Sequence, residues 1–220
     1  KYLICAVGSL SSTNIPKIKG LNAYKGKYYH TGRWPKKKVN LKDQVVAQIG
    51  TGSSGIQAAP EIAKVVKKLV IFQRTPNYSI PARNKKLTKE IINNYLKNYK
   101  KIKKLIKKTP GGHTFSFPNR SVFDFNKIER DKIFEKAWFK GSLAFRACFG
   151  DITKNLKANE KASNFIKEKI LKIVKDKKIA KILTNFDHPF TSKRPTLNTN
   201  YYETFNKKNV QLVDLKTNPI

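Results

Sequence analysis

The sequence predicts an α/β fold, with parallel strands joined by a helix and a long helical insertion. Three observations predict it. A glycine-rich turn, Gly50-Thr51-Gly52-Ser53-Ser54-Gly55, separates an apolar run from a helical pattern. A second apolar run, Leu69–Arg74, follows that helix. From about Lys85 to Asn185 the apolar residues then recur at helical spacing, with few strand signals.

Tyr2–Val7 (YLICAV) is a short apolar run ending at Gly8 and reads as a buried strand. Pro16 and Gly20 punctuate the loop that follows. Asp43–Gly50 reads as a second strand, apolar enough for the middle of a parallel sheet, with Gln48 as a polar exception. Ser53–Lys68 reads as a helix whose first serines would bind free backbone N–H groups. Pro60 predicts a bend or a later start. Leu69–Arg74 is the third strand. Strand, glycine turn, helix and strand make a βαβ unit, for which a right-handed crossover is expected.

In the helical stretch, Asn126 and Glu129 are spaced as a capping pair, and Ile128, Phe134 and Trp138 are expected near one face. Phe165, Ile166, Ile170, Ile173 and Val174 repeat at three and four. The segment TPGGHTFSFP breaks the helices. Val210–Leu215 is the expected closing strand, and no internal repeat is visible.

Composition narrows the function classes. The 220 residues are 39% hydrophobic and 11% aromatic, too apolar for a disordered chain. No apolar run approaches the ~20 residues of a membrane span, and no signal peptide is visible. Cys5 and Cys148 make no disulfide framework, and His30, His113 and His188 are scattered, so no metal site is expected. A reducing, cytoplasmic setting fits.

Lys+Arg number 47 against 14 Asp+Glu, for a net charge of +33. Such a charge suits a nucleic-acid or anionic-membrane binder. The excess is nearly all lysine and is spread along the chain, whereas sequence-specific nucleic-acid readers invest in arginine. A lineage bias towards Lys, Asn and Ile accounts for it better, and no specific nucleic-acid partner is expected. The run Lys97–Lys108 reads either as a basic amphipathic helix or as a solvated helix face. The chain has no methionine and opens on what reads as a strand under way, so it is expected to be an internal piece of a longer protein.

The turn Gly50-Thr51-Gly52-Ser53-Ser54-Gly55 matches G-x-G-x-x-G in the required strand-to-helix context. The glycines let backbone approach a pyrophosphate, and the helix N-terminus offers N–H groups and partial positive charge. An NAD site usually carries Asp or Glu at the end of the next strand, for the ribose 2′-hydroxyl. This chain has Gln73-Arg74-Thr75 there, and an arginine with a hydroxyl suits a 2′-phosphate. NADP(H) is therefore expected over NAD(H).

The stretch Tyr24–Pro35, YKGKYYHTGRWP, resembles the signature F-x-G-x-x-x-H-x-x-x-W-[PD] of the Baeyer–Villiger flavin monooxygenases. Gly26, His30, Trp34 and Pro35 fall in register, and Tyr24 replaces the usual Phe. Other flavin monooxygenases carry a shorter relative of the motif without the Trp-Pro ending. The resemblance extends along the chain, through IGTGSSGIQ, LVIFQRTPNYSIPARN, FGDITKNLKANEKASNFIKEKI and KRPTLNTNYYETFNKKNVQLVDLKTNPI, and is to the cyclohexanone and phenylacetone monooxygenase group.

The resemblance implies two Rossmann-like domains, one for FAD and one for NADP, the second interrupted by helices. On that pattern residues 1–18 end the first half of the FAD domain, a remnant. Residues 19–84 begin the NADP domain, 85–198 are the mostly helical insertion, and 199–220 return to the NADP domain. It implies that Gln57 joins the glycine turn in cofactor binding. Arg74, Thr75 and Lys193 would take the 2′-phosphate, and Gly26, His30, Trp34 and Pro35 would form a hinge. Arg194 would be the catalytic arginine, whose fixed charge keeps the reactive oxygen species deprotonated.

The implied reaction consumes NADPH and O2 and inserts one oxygen atom into a ketone, giving an ester or lactone. This stretch alone is expected neither to hold FAD well nor to complete catalysis. The alternatives are a flavin monooxygenase acting on nitrogen or sulfur, a basic nucleic-acid or membrane-surface binding protein, and the product of a decayed gene.

Overall fold

The computed structural model describes residues 2–8, 12–109 and 111–220. In chain order the elements are β1 (Val45–Ile49), α1 (Ser53–Ile62), β2 (Lys68–Gln73), β3 (Ser79–Pro81), α2 (Lys89–Lys108) and α3 (Lys127–Lys140). There follow α4 (Leu156–Ile173), α5 (Lys177–Leu183), β4 (Thr196–Asn198), α6 (Tyr201–Thr204) and β5 (Val210–Asp214).

β1 pairs parallel with β2, Val46 opposite Leu69 and Gln48 opposite Ile71. β5 pairs parallel with the other edge of β2, Ile71 opposite Leu212, so the order is β1–β2–β5. β2 is the middle strand. Its alternate residues Leu69, Ile71 and Gln73 are buried, as the two-residue period of a strand requires. Beneath them α1 buries Ile56, Ala59 and Pro60, and the tyrosines of α6, Tyr201 and Tyr202, join the same core.

The helical insertion leaves at β3 and returns at β4, which pair parallel as a separate two-stranded sheet. Its core is aromatic. Phe134 lies 5.1 Å from both Phe149 and Phe165, and Trp138 meets Phe145 edge-on at 6.0 Å. Such pairs add to the burial of large apolar area. α3 starts on the capping box of Asn126 and Glu129, each side chain bonding the other's backbone N–H. α2 is amphipathic, with eight lysines in twenty residues, and buries none of its side chains.

Several sequence expectations need correction. Tyr2–Val7 does not form a strand within this chain: among the described residues no strand pairs with it, and its apolar side chains are exposed. A strand needs neighbours to satisfy its backbone. The first helix ends at Ile62, not Lys68, and Pro60 lies inside it without delaying its start. Ile128 is 69% exposed; six residues before Phe134, it projects from another face of α3. No helix among the described residues is long and apolar enough to cross a membrane.

Candidate functional site

The glycine turn is shaped by contacts that only glycine allows. Gly50 has φ of +99°, a left-handed conformation. A Cβ on Gly55 would collide with the carbonyl oxygen of Gly50 and crowd the Gln48 amide. Gln48, a polar exception in an apolar strand, holds this approach together. Its side-chain amide donates to the carbonyls of both Gly50 and Gly55, at 3.2 Å each.

Gly52 is the N-cap of α1 and contributes no side-chain bond. The serines were expected to cap the helix; instead Ser53 and Ser54 lie within its first turn, exposed, and no side chain caps the terminus. Backbone N–H groups at the start of a ten-residue helix therefore face outward without an intramolecular cap, as an anion site requires.

At the end of β2, Gln73 is 1% exposed, whereas Arg74 is open to solvent. The segment from Thr75 to Pro81 runs beside residues 186–198. Tyr78 donates to the carbonyl of His188 (3.2 Å) and stacks on Phe186 (3.8 Å between centroids). Asn77 donates to the carbonyl of Arg194 (3.1 Å), and the N–H of Thr196 donates to Tyr78 (2.9 Å). Thr51, buried in the turn, reaches the carbonyl of Thr75 at 3.5 Å. Gln57 donates from α1 to the carbonyl of Leu197 (3.3 Å), so it ties α1 to β4. Turn, strand end and return segment thus meet at the C-terminal end of the middle strand, β2.

Asp187 stands among these groups. It lies 2.7 Å from Nδ1 of His188, 3.5 Å from the hydroxyl of Thr75 and 3.7 Å from the ammonium of Lys193. The His188 bond, chiefly, and the nearby Lys193 hold its carboxyl below the usual carboxylate range.

Sequence reasoning missed Gln48, Asn77, Asp187 and His188. Only Gln48 carried a visible signal, as the one polar side chain in its strand. Asp187 lies 112 residues from Thr75 and carried none.

The fingerprint residues lie elsewhere. His30 caps a short 3-10 turn, its Nδ1 accepting from the N–H of Gly32 at 3.0 Å. Trp34 is 49% exposed and tilts against Tyr29 at 5.6 Å. The exposed ring of Tyr24 lies over Gly26, and Pro35 is half-buried. Among the described residues, no hydrogen bond, ion pair or aromatic contact joins them to the glycine turn. Arg194 exposes its guanidinium, while its carbonyl is anchored by Asn77.

A parallel sheet and a glycine turn that enters an uncapped helix make an α/β unit of Rossmann type. No protein-family model matches the chain. Individual proteins do. It is 41% identical over 223 aligned residues to a cyclohexanone 1,2-monooxygenase of an Acinetobacter species, covering 100% of this chain and 40% of that protein. It is 37% identical to a phenazine N-monooxygenase of Lysobacter antibioticus, again over the whole chain and 40% of the relative. The structure of OTEMO in complex with FAD and NADP superposes with a TM-score of 0.94 at 36% identity, over 98% of this chain and 42% of that one. The chain is homologous along its whole length to the Baeyer–Villiger monooxygenases, and spans about 40% of the length of the curated relatives it matches.

Proposed function

We propose that the chain is the NADP(H)-binding part of a flavin-dependent Baeyer–Villiger monooxygenase. The whole enzyme would insert one atom of O2 into a ketone to give an ester or lactone. The observation that supports this reading is the chain of contacts Thr51–Thr75–Asp187–Lys193, which joins the glycine turn to the return segment at the C-terminal end of β2, in a chain homologous to ketone monooxygenases.

The residues fit an NADP(H) nucleotide. The uncapped start of α1, with Thr51, Gly52, Ser53 and Ser54, would hold the pyrophosphate, and Gly50 and Gly55 let the backbone approach it. Arg74, Thr75 and Lys193 would take the 2′-phosphate; arginine offers a planar fork of donors that matches it. Gln57 acts indirectly, by fixing α1 against β4. Bound NADPH supplies the hydride and FAD the oxygen-activating chemistry; we assign no residue of this chain to FAD.

Arg194 is assigned as the catalytic cation. Its carbonyl is held by Asn77, and arginine supplies a planar cation suited to the role. Gly26, His30, Trp34 and Pro35 are assigned to the hinge that enters the NADP domain. The pairing of β3 with β4 supports placing the ends of the helical insertion near residues 84 and 198. Two free cysteines, one exposed and one buried, suit a reducing, cytoplasmic setting.

The test is ketone-dependent NADPH oxidation by the full-length protein, with product analysis. Stoichiometric ester or lactone, lost in Arg194→Ala with NADPH binding retained, is the expected outcome. NADPH oxidation that no ketone stimulates would overturn the reading. A second reading is oxidation of nitrogen, favoured by the 37% identity to the phenazine N-monooxygenase. An N-oxide product from a heteroaromatic amine, without ester from any ketone, would select it.

A further inference from the structure

The geometry points to Asp187 as the residue that limits how strongly the nucleotide site prefers a 2′-phosphate over a free 2′-hydroxyl. The inference rests on the NADP(H) reading above. NAD sites place an acid at the end of the second strand, where it accepts a hydrogen bond from the ribose 2′-hydroxyl. This chain has Gln73-Arg74-Thr75 at that point in sequence. The fold nevertheless brings a carboxylate there, from 112 residues along the chain.

Asp187 is held in place. Its Oδ1 lies 2.7 Å from Nδ1 of His188, and the His188 side chain is only 9% exposed, packed edge-on to Tyr78 at 5.5 Å. The carboxylate is thereby set between Thr75 (3.5 Å) and Lys193 (3.7 Å), two of the three groups assigned to the 2′-phosphate.

Two effects compete. Asp187 could orient Thr75 and Lys193 for the phosphate, or its charge could repel the phosphate. The distances decide. The Thr75 contact is at the outer limit of hydrogen bonding and the Lys193 contact lies beyond it, so orientation is weak. Charge acts at longer range. A phosphate bonded to Thr75 and Lys193 would lie roughly 7 Å from the carboxylate, within one Debye length at ordinary salt. A ribose 2′-hydroxyl, by contrast, can donate to the carboxylate. Asp187 therefore lowers affinity for the phosphorylated nucleotide and not for the plain one.

The experiment measures binding of adenosine 2′,5′-bisphosphate and of AMP to the full-length protein by calorimetry, for wild type, Asp187→Asn and Arg74→Ala. The preference for the bisphosphate over AMP should rise about 3- to 10-fold in Asp187→Asn, and the gain should shrink as salt is raised. An unchanged or smaller preference overturns the inference and makes Asp187 a support for Thr75 and Lys193. A wild type without preference for the bisphosphate, unaltered in Arg74→Ala, overturns the NADP(H) reading itself. Asp187→Ser, which also removes the charge, should match Asp187→Asn; a gain confined to the asparagine variant would overturn the charge argument.

Discussion

Asn159 on α4 grips the backbone of Phe190 from both sides. Its side-chain amide donates to the Phe190 carbonyl at 2.7 Å, and its carbonyl oxygen accepts the Phe190 N–H at 2.9 Å. The same amide also donates to the carbonyl of Ile152 at 2.9 Å. Asn159 is buried, so these backbone groups have no water to turn to. Asn159 thus ties α4 to the segment that carries Asp187, Lys193 and Arg194, which Tyr78 and Asn77 hold from the other side.

Asn159→Leu should therefore be costly. It leaves buried donors and acceptors unpaired, a loss of about 2–4 kcal/mol in denaturant-unfolding stability. NADP binding should weaken as well, although Asn159 itself is not assigned to the nucleotide. Unaltered stability would show that the segment is fixed by other contacts.

Gly55→Ala tests the close approach of α1 to the glycine turn. The added methyl has no room against the carbonyl of Gly50, so the helix must shift or the Gln48 bridge must open. A loss of about 1–3 kcal/mol in stability is expected, with a nucleotide affinity at least ~10-fold lower from misplaced N–H groups, since ~1.4 kcal/mol corresponds to tenfold. Calorimetric titration with NADP reads the second quantity directly. Wild-type binding by the alanine variant would refute the packing argument.

Alkaline pH should unfold the protein through buried acids that cannot ionise in place. Burial pushes the Cys148 thiol from its ordinary 9.0 up to about 12. Burial likewise raises Tyr78, Tyr201 and Tyr202 above the ordinary phenol value of 10.0. The unfolded chain loses these protons first, so each group's contribution is complete below its ordinary value and is lost as pH rises above it. Stability should thus hold below pH 9.0 and then fall, by about 1.4 kcal/mol per pH unit for each group that stays protonated in the folded state. Chemical denaturation at several pH values would check this; a flat profile well above that pH would contradict it.

The two cysteines should differ in reactivity. Cys5 is exposed, whereas Cys148 is buried and held as the unreactive thiol. A thiol reagent at neutral pH should label one site in the native protein and two after denaturation, with peptide mapping to locate the first. Equal labelling in the native state would mean that Cys148 is accessible.

Much of the fold was legible because its signals are local. The glycine spacing, the apolar runs of β1 and β2, the Asn126–Glu129 cap and the helical repeat of Phe165, Ile166 and Ile170 each lie within one turn or strand. Tyr2–Val7 is the complementary case, unpaired among the described residues. An apolar run shows strand propensity but does not show a partner strand, and a strand exists only when paired.

Local patterns are enough to mark the class of unit: a glycine turn between parallel strands, an arginine where NAD sites carry an acid, and an insertion built as helices. Periodicity and turn chemistry depend on neighbours a few residues apart, so they survive in a linear string. What surrounds the site is set by contacts between distant parts of the chain. The pairing of β3 with β4 and the grip of Asn159 bring residues 186–194 beside Thr75, and with them an Asp187 that no local pattern marks. Such long-range contacts are set by packing and by the need to satisfy buried backbone, which no short stretch of sequence records.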